Sequence, residues 1–293
     1  MKRSVGFLAA ALLALGATQA LSAPAAVVEG VQMPAWLERA GAGATRRVPL
    51  APGMELRSGD EVRTGAGSRL YIKLAEGSLV KLGENASLRI LDIAPERDGL
   101  FKAALNVLQG AFRFTTDLLA RERRREVSIR VATVTAGIRG TDLWGKSTGE
   151  RQIVCLIEGK IDVGAEGEAP VTMDQARQFY QRDKGQTQPV GFVDPVQLAQ
   201  WARETEIAEG QGAARSGGKW RVTLARVESQ AEALAVYDTL RAAGFAAEIF
   251  PTKAGEKREY VVRISRLASK ADAEALAAQL RGTAGVQEPK VSG

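Results

Sequence analysis

The sequence predicts an α+β protein of two domains, an all-β N-terminal domain and a C-terminal domain with the element order βαββαβ. Two observations lead to this fold class. Apolar residues alternate with polar residues over residues 36–163, and glycines interrupt the alternation at short intervals. The end of the chain repeats itself at an offset of 40 residues, from Trp220 to Tyr260, and each repeat joins a strand pattern to a helix pattern.

The alternating segments predict short strands joined by tight turns. The predicted strands include residues 70–74, 80–82, 88–90, 127–131 and 153–157. Strands of this length between glycine turns are typical of all-β sandwiches and barrels. Residues 153–157 are apolar on both faces, which predicts a central strand with Cys155 as a buried structural thiol.

The segment that follows is more polar and links the two predicted domains. Residues 166–195 contain three prolines and are expected to form one or two isolated strands. Residues 195–209 have a helical pattern. Residues 210–218 are rich in glycine and are predicted to be a flexible linker.

In the C-terminal repeat, each strand is followed by an amphipathic helix. Ser229 with Glu232, and Ser269 with Asp272, have the spacing of helix-capping pairs. Apolar residues then recur at helical spacing, namely Ala233, Val236, Tyr237 and Leu240 in the first helix and Ala273, Leu276, Ala277 and Leu280 in the second. Further strands are predicted at 245–250 and 286–291. The order βαββαβ places both helices on one face of the sheet and leaves the other face open.

The N-terminus has the features of an export signal. Lys2 and Arg3 precede an uncharged apolar run at 5–17, which is too short to span a bilayer, and small residues follow. We expect a signal peptide over residues 1–25, cleaved between Ala20 and Ala26; an uncleaved anchor is the alternative. Loss of Lys2 and Arg3 lowers the formal charge from +6 to +4. The mature protein is then expected outside the cytoplasm, with no membrane span.

The composition restricts the chemistry that the protein can perform. The chain has no histidine and one cysteine. Histidine-based acid–base catalysis, histidine-ligated zinc, an intramolecular disulfide and a two-cysteine redox centre are therefore excluded. The sequence predicts no catalytic set, no metal site and no cofactor.

The C-terminal segment resembles the SPOR (sporulation-related repeat) domain. The resemblance rests on Gly244, on the paired alanine-rich helices, and on residues 220–227 (WRVTLARV) and 260–267 (YVVRISRL). It implies a module outside the cytoplasm that binds peptidoglycan glycan strands lacking stem peptides, as found at division sites.

The middle of the chain resembles the FecR-type periplasmic domain. The motifs that carry this resemblance are residues 50–65, 76–85, 138–142 and 156–163. In well-known relatives the domain passes a signal to a cytoplasmic segment that binds a sigma factor. Only four residues precede the apolar run here, so the resemblance implies an exported β module whose ligand or partner is unknown.

Alternation along the repeat strands predicts which side chains face away from the helices. Trp220, Val222, Leu224, Tyr260, Val262 and Ile264 are expected under the helices, and Arg221, Thr223, Ala225, Val261, Arg263 and Ser265 on the open side. Glycan binding needs hydroxyl partners, cations and a flat apolar ring. The predicted glycan-binding residues are Arg221, Thr223, Arg226, Phe250, Arg263, Ser265 and Arg266. Ordinary solvated surface residues are the alternative interpretation.

Other motifs give weaker functional hypotheses. Ser78 and Lys81 match the S-x-x-K pattern of penicillin-recognising enzymes, but the accompanying motifs are missing and Ser78 lies in a predicted hairpin. The basic run at 121–125 indicates either a polyanion contact or a solvated loop, and the loop is favoured. An RNA-binding sheet needs aromatic residues on the open strands, whereas Trp220 and Tyr260 fall on the helix side.

Together these observations predict a periplasmic, non-enzymatic protein of the cell envelope. The expected organisation is a signal peptide (1–25), a FecR-like β domain (26–165), an extension with a helix and linker (166–215) and a SPOR-like domain (216–293). Its expected partners are peptidoglycan glycan strands and an envelope protein that contacts the FecR-like domain, without nucleic acid, and its expected position includes the division septum. The alternative function is an exported cell-wall-active enzyme with an appended wall-binding module.

Overall fold

The computed structural model describes residues 24–40, 45–95, 99–116, 124–138, 140–255 and 257–293. Within these residues the protein is mostly β, with three helices. The predicted signal peptide lies outside the described residues except for its last two positions, and residues 121–123 of the basic run also lie outside them. No helix in the described part is long and apolar enough to cross a membrane.

The first 18 strands form the N-terminal part of the molecule. They are β1 (Ala26–Gln32), β2 (Ala35–Ala40), β3 (Thr45–Pro49), β4 (Glu55–Leu56), β5 (Glu61–Thr64), β6 (Arg69–Leu74), β7 (Leu79–Leu82), β8 (Ser87–Pro95), β9 (Phe101–Thr115), β10 (Arg125–Val131), β11 (Val134–Ile138), β12 (Asp142–Ser147), β13 (Arg151–Glu158), β14 (Ile161–Ala165), β15 (Val171–Met173), β16 (Gln178–Asp183), β17 (Gln186–Thr187) and β18 (Gly191–Phe192). The strands predicted at 70–74, 80–82, 88–90, 127–131 and 153–157 are confirmed.

The remaining elements are α1 (Pro195–Arg203), β19 (Ala213–Arg215), β20 (Trp220–Val227), α2 (Gln230–Ala242), β21 (Glu248–Ala254), β22 (Lys257–Leu267), α3 (Lys270–Leu280) and β23 (Lys290–Ser292). The helix predicted over 195–209 ends at Arg203. The strands predicted at 245–250 and 286–291 begin three and four residues later than expected, because turns follow both helices.

Two sheets of the N-terminal part share the long strand β9. Sheet A has the order β1–β6–β7–β9–β12–β13–β16. The short strands β17 and β18 both pair with the edge of β16 that faces away from β13. Sheet B has the order β3–β2–β5–β8–β9–β10–β11–β14–β15. Only the β9–β10 pairing is parallel among these neighbours. The sheets continue past residue 165, so the segment 166–195 extends them instead of carrying isolated strands.

Strand β9 changes sheets at Gly110. Its first half pairs with β8 and β10, and its second half pairs with β7 and β12. Gly110 has a φ of 85°, and a Cβ there would lie 2.5 Å from the Cα atom of Ala86. Only glycine fits this bend, since the backbone is left-handed and the neighbouring chain is too close for a side chain.

The core of the N-terminal part lies between the two sheets. Alternate residues of β6, β7 and β9 are fully buried, among them Leu70, Ile72, Leu82, Phe112 and Phe114. Their burial follows the period of two read from the sequence. Each fully buried side chain of this size contributes about 1.5–3 kcal/mol of hydrophobic free energy.

Helix α1 and the segment after it lie across the outer face of sheet A. We call residues 195–209 the strap. Asp194 caps α1 by accepting a hydrogen bond from the backbone N–H of Val196 at 2.8 Å, and Pro195 occupies the first turn. On the underside of the helix, the ring of Trp201 stacks on the fully buried Trp144 of β12, with the centroids 4.6 Å apart and the planes 8° from parallel.

The strap ends in a polar anchor centred on Glu206. Its carboxylate accepts hydrogen bonds from the Tyr71 hydroxyl at 2.7 Å, Lys81 Nζ at 2.6 Å and Arg113 Nη1 at 3.1 Å. Tyr71 in turn accepts the backbone N–H of Ile207 at 2.8 Å, and burial is the main cause that raises the pKa of Tyr71 to about 12. Burial alone would raise the pKa of Glu206, but Lys81, Tyr71 and Arg113 together hold it below the ordinary value of 4.5.

The C-terminal unit, β20 to β23 with α2 and α3, has the predicted order βαββαβ. Its sheet order is β23–β20–β22–β21, all antiparallel. Ser229 and Glu232 form a reciprocal capping box on α2, and Ser269 caps α3 through the backbone N–H of Asp272. The predicted apolar stripes of both helices pack against this sheet.

The glycine-rich segment 210–218 is not the flexible linker that its composition predicts. Within it, residues 213–215 of β19 pair antiparallel with residues 30–32 of β1. On its other side, Ala214 of β19 pairs with Leu267 of β22. Ala213 and Ala214 are each 1% exposed. The segment is ordered because its backbone completes sheet A on one side and contacts the C-terminal sheet on the other.

Two further contacts fix this junction. One carboxylate oxygen of Asp272 accepts the backbone N–H groups of Gln211, Gly212 and Ala213, each at 3.1 Å. At the end of α2, Gly244 has a φ of 88°, and a Cβ there would lie 2.6 Å from the Trp36 ring of β2. Glycine is required at this position by conformation and by proximity.

We predict that Asp272→Asn loosens the junction. A neutral amide is a weaker acceptor for three backbone donors, so the free energy of unfolding should fall by about 1–3 kcal/mol. Hydrogen exchange at the Gly212 and Ala213 amides should accelerate. The control is Asp238→Asn, because Asp238 is exposed on α2. Unchanged exchange at Gly212 and Ala213 would contradict the role given to Asp272.

We also predict an acid-sensitive contribution from Glu206. Because its pKa is lower when folded, its stabilisation is present above the unfolded pKa and is lost as the pH falls through the folded pKa. The carboxylate is 37% exposed, so solvent screening limits the effect of Glu206→Gln to about 1 kcal/mol at pH 7. Urea unfolding from neutral to acidic pH measures the difference. The difference in the free energy of unfolding between wild type and Glu206→Gln should shrink as the carboxylate is protonated. The control is Glu209→Gln, because Glu209 is an exposed neighbour, and this variant should behave as wild type at every pH.

Candidate functional site

The open face of the C-terminal sheet is the surface opposite α2 and α3. The strand registers place on it Arg221, Thr223 and Arg226 of β20, Glu248, Phe250 and Thr252 of β21, Glu259, Val261, Arg263 and Ser265 of β22, and Lys290 and Ser292 of β23. Val222, Leu224, Val262 and Ile264 point the other way and are at most 3% exposed. Trp220 and Tyr260 also pack on the helix side, as predicted.

The centre of the open face is an arginine stacked on an aromatic ring. The guanidinium carbon of Arg263 lies 4.4 Å from the ring centroid of Phe250, which is 50% exposed. Arg263 and Phe250 lie on neighbouring strands, because Glu248 pairs with Arg263 and Phe250 with Val261. Glu248 lies 3.9 Å from Arg263 Nε, and Ser265 donates a 3.4 Å hydrogen bond to the same carboxylate.

Two more arginines lie along β20. Arg226 Nη1 is 3.7 Å from Glu259, and its side chain is 56% exposed. Arg221 donates a 2.9 Å hydrogen bond to Ser292 Oγ at the far edge. Thr223 lies between them, flanked by Arg263 on β22 and Lys290 on β23. An exposed ion pair such as that of Arg226 with Glu259 contributes little to stability, so this cation can exchange its partner for a ligand.

The structure separates Arg266 from the other six predicted residues. Its backbone is left-handed, with a φ of 63°, and its Nη1 donates a hydrogen bond to the carbonyl oxygen of Pro52 in the N-terminal part. Arg266 therefore contacts the junction and lies off the open face.

Ala225 is a second departure from strict alternation. A bulge between Thr223 and Ala225 shifts the register, so that Ala225 pairs with Val262 and packs against the core on the helix side. The prediction that Ala225 faces the open side is wrong for this reason. Val261 does lie on the open face, but it is only 6% exposed beneath its neighbours.

Sequence reasoning missed five polar members of the open face, Glu248, Thr252, Glu259, Lys290 and Ser292. The sequence pattern could have placed Glu248 on the open face, since it lies two residues before Phe250 on the same predicted strand. Lys290 and Ser292 had no such signal, because their positions depend on the pairing of a three-residue strand with β20. With hydroxyls, cations, carboxylates and one exposed ring, this shallow surface suits a long polyhydroxylated ligand.

The S-x-x-K pattern does not assemble a nucleophile and a base. Ser78 is fully buried, and among the described residues its hydroxyl has no hydrogen-bond partner. The ammonium group of Lys81 is committed to Glu206 at 2.6 Å. A lysine that holds a carboxylate in this way is not available as a general base.

Two family models match the chain. The FecR protein model matches residues 60–162, which span much of sheets A and B, and the SPOR domain model matches residues 216–290, which span the C-terminal unit up to the start of β23. The chain carries a FecR domain followed by a SPOR domain. The open face is a surface of the SPOR domain. Both domains are binding or regulatory modules of envelope proteins, and no enzyme family is indicated.

Comparison with solved structures gives distant likenesses only. Two crystal structures of a candidate anti-sigma factor from Parabacteroides distasonis ATCC 8503 each align with a TM-score of 0.40 and 12% identity over 75% of this chain, and over 91% and 89% of their own chains. No curated protein matches the chain.

Cys155 of β13 gives a simple test of the fold. It is fully buried beside Trp144, and burial raises the pKa of its thiol to about 12. We predict that the native protein does not react with a thiol reagent at pH 8, because the reactive thiolate is absent and access is blocked. One thiol should react after denaturation in urea. Rapid reaction of the native protein would contradict this packing.

Proposed function

We propose that the protein is exported to the periplasm and binds peptidoglycan glycan strands through the open face of its SPOR domain. The observation that carries this proposal is the convergence of Arg221, Thr223, Arg226, Phe250, Arg263 and Ser265 on one solvent-facing surface. A SPOR domain suggests peptidoglycan binding. Strands without stem peptides are the preferred ligand in this proposal, because the resemblance to SPOR domains implies them.

The charge of the SPOR domain supports an anionic polymer as ligand. Residues 216–293 carry 12 Lys and Arg against nine Asp and Glu, a net charge of +3. Cations on a surface attract an anionic polymer and raise its association rate. Specificity comes from the hydroxyl groups of Thr223 and Ser265 and from the ring of Phe250.

In this proposal the chain has two domains of α+β class. Residues 1–25 form the signal peptide, 26–165 the FecR-like β domain, 166–215 an extension that includes the strap, and 216–293 the SPOR-like domain. The FecR-like domain contacts an envelope protein. The SPOR-like domain directs the protein, together with this partner, to peptidoglycan, including that of the septum. A fluorescent fusion tests the last point by its distribution between septum and side wall.

The alternative of a cell-wall-active enzyme has no constellation that favours it. Lys81 is engaged with Glu206, and Ser78 is buried. Within the described residues no group of three carboxylates or thiols could hold a metal ion. We therefore propose a non-enzymatic role. A zymogram on purified sacculi would show lytic bands if this is wrong.

We predict that Phe250→Ala and Arg226→Ala each weaken binding to amidase-treated sacculi by about tenfold, equivalent to about 1.4 kcal/mol. The measurement is co-sedimentation of the purified protein with sacculi over a range of protein concentrations. Both side chains are exposed, so the free energy of unfolding should change by less than about 0.5 kcal/mol.

The chain offers a matched control for each variant. Phe192→Ala removes a ring that is 56% exposed, and Arg151→Ala removes an arginine that is 53% exposed and ion-paired with Asp183. Both lie in the N-terminal part and should bind as wild type. Negligible binding by the wild-type protein, or equal loss in the control variants, would overturn the assignment of the open face.

A further inference from the structure

Three cations surround Thr223 on the open face. Arg263 of β22 and Lys290 of β23 are paired with Thr223, one on each side, and Arg221 lies two residues before it on β20. Directly paired residues have Cβ atoms about 4.5–5.5 Å apart, and residues two apart on one strand are separated by about 6.6 Å. The three side chains can therefore meet over Thr223. We call these four residues the cation cluster.

Two of these cations have no acidic side chain to neutralise them. Among the residues that the structure describes, Arg221 and Lys290 form no ion pair with Asp or Glu. Arg221 donates hydrogen bonds to Ser292 Oγ at 2.9 Å and to the main-chain oxygen of Gly293 at 3.5 Å. Arg221 and Lys290 are both exposed, so their charges face the solvent.

The third cation, Arg263, is only partly satisfied. Its Nε is buried and has no hydrogen-bond partner within the described residues. The Glu248 carboxylate lies 3.9 Å from Nε, too far for a hydrogen bond, and the guanidinium group lies over the ring of Phe250. By contrast, Arg113 of sheet A donates hydrogen bonds of 2.9 and 2.7 Å to the two carboxylate oxygens of Asp142. Glu248 therefore offsets the charge of the cation cluster only in part.

The proposed ligand supplies an anion when its peptides are removed. A peptidoglycan strand carries a lactyl group on every second sugar, and the stem peptide is joined to this group through a neutral amide. Hydrolysis of that amide leaves a free carboxylate on the strand. Hydrogen bonds from Arg and Lys to a carboxylate are roughly twice as strong as those between neutral groups. Removal of the peptide thus creates the group that the cation cluster suits.

We propose that the cation cluster binds the free lactyl carboxylate of a strand without stem peptides. The inference rests on the proposed function and adds the chemical group that distinguishes these strands from peptide-bearing ones. The Thr223 hydroxyl donates a further hydrogen bond to the carboxylate. A sugar stacked on Phe250 lies beside the cluster, because Arg263 contacts that ring.

The test compares two forms of one glycan by calorimetric titration. Strands freed from sacculi by an amidase are used with their free carboxylates, or after conversion of these carboxylates to methylamides with carbodiimide and methylamine. The methylamide is neutral but small, so it separates the loss of charge from the bulk of a stem peptide. We expect the purified protein to bind the free acid about tenfold more tightly than the methylamide at low ionic strength.

Lys290→Gln removes one cation of the cluster. It should weaken binding of the free acid about fivefold and leave binding of the methylamide unchanged. The matched control is Lys253→Gln, because Lys253 is also exposed but lies on the opposite side of the sheet. This variant should keep the wild-type preference for the free acid.

The outcomes separate this inference from the proposed function. Equal affinity of the wild-type protein for the two glycans would overturn the inference and leave glycan binding in place. Equal effects of the two lysine variants would also overturn it, since the overall charge of the domain would then account for the attraction. Negligible binding of both glycans would overturn the proposed function and the inference with it.

Discussion

Three residues of β19 hold the two parts of the chain in one arrangement. Their backbone is hydrogen-bonded to β1 on one side and approaches β22 on the other, so that sheet A continues towards the sheet of the SPOR domain. Without this pairing the SPOR domain would be tethered by a mobile segment and would adopt many orientations. With it, the open face has a defined position relative to the FecR domain.

The same arrangement depends on the first turn of α3, which contains Asp272. Asp272 lies in the first turn of α3, where its Oδ2 accepts a hydrogen bond from the hydroxyl of the capping residue Ser269. Its Oδ1 accepts the amides of Gln211, Gly212 and Ala213, which lead into β19. One carboxylate therefore stabilises a helix of the SPOR domain and the connection that leads to it. Local opening of α3 would release the junction, and release of the junction would leave a buried carboxylate without donors.

The sequence predicts those features that depend on local periodicity. Alternation located β6, β7, β10 and β13, and the 40-residue repeat located the two capped helices and the helix-side residues of the C-terminal sheet. The order of the nine strands in sheet B, the pairing of β19 and the bulge at Ala225 depend on long-range contacts. Composition was misleading for residues 210–218, because glycines that permit flexibility also permit close approach, as Gly218 shows against Arg266. Within the candidate site, six of seven residues share a surface, and Arg266 departs because of one left-handed backbone angle.

Strand β9 has a consequence for how this fold tolerates change in length. Each half of the strand is in register with two neighbours, and Gly110 marks the division between the halves. An insertion of one residue before Gly110 would turn the side chains of the first half from core to solvent in sheet B, and one after it would do the same in sheet A. An insertion at Gly110 itself would move the bend away from the only position that can accommodate it. Variation in length during the evolution of such a domain is therefore expected in its turns, with β9 held at a constant number of residues.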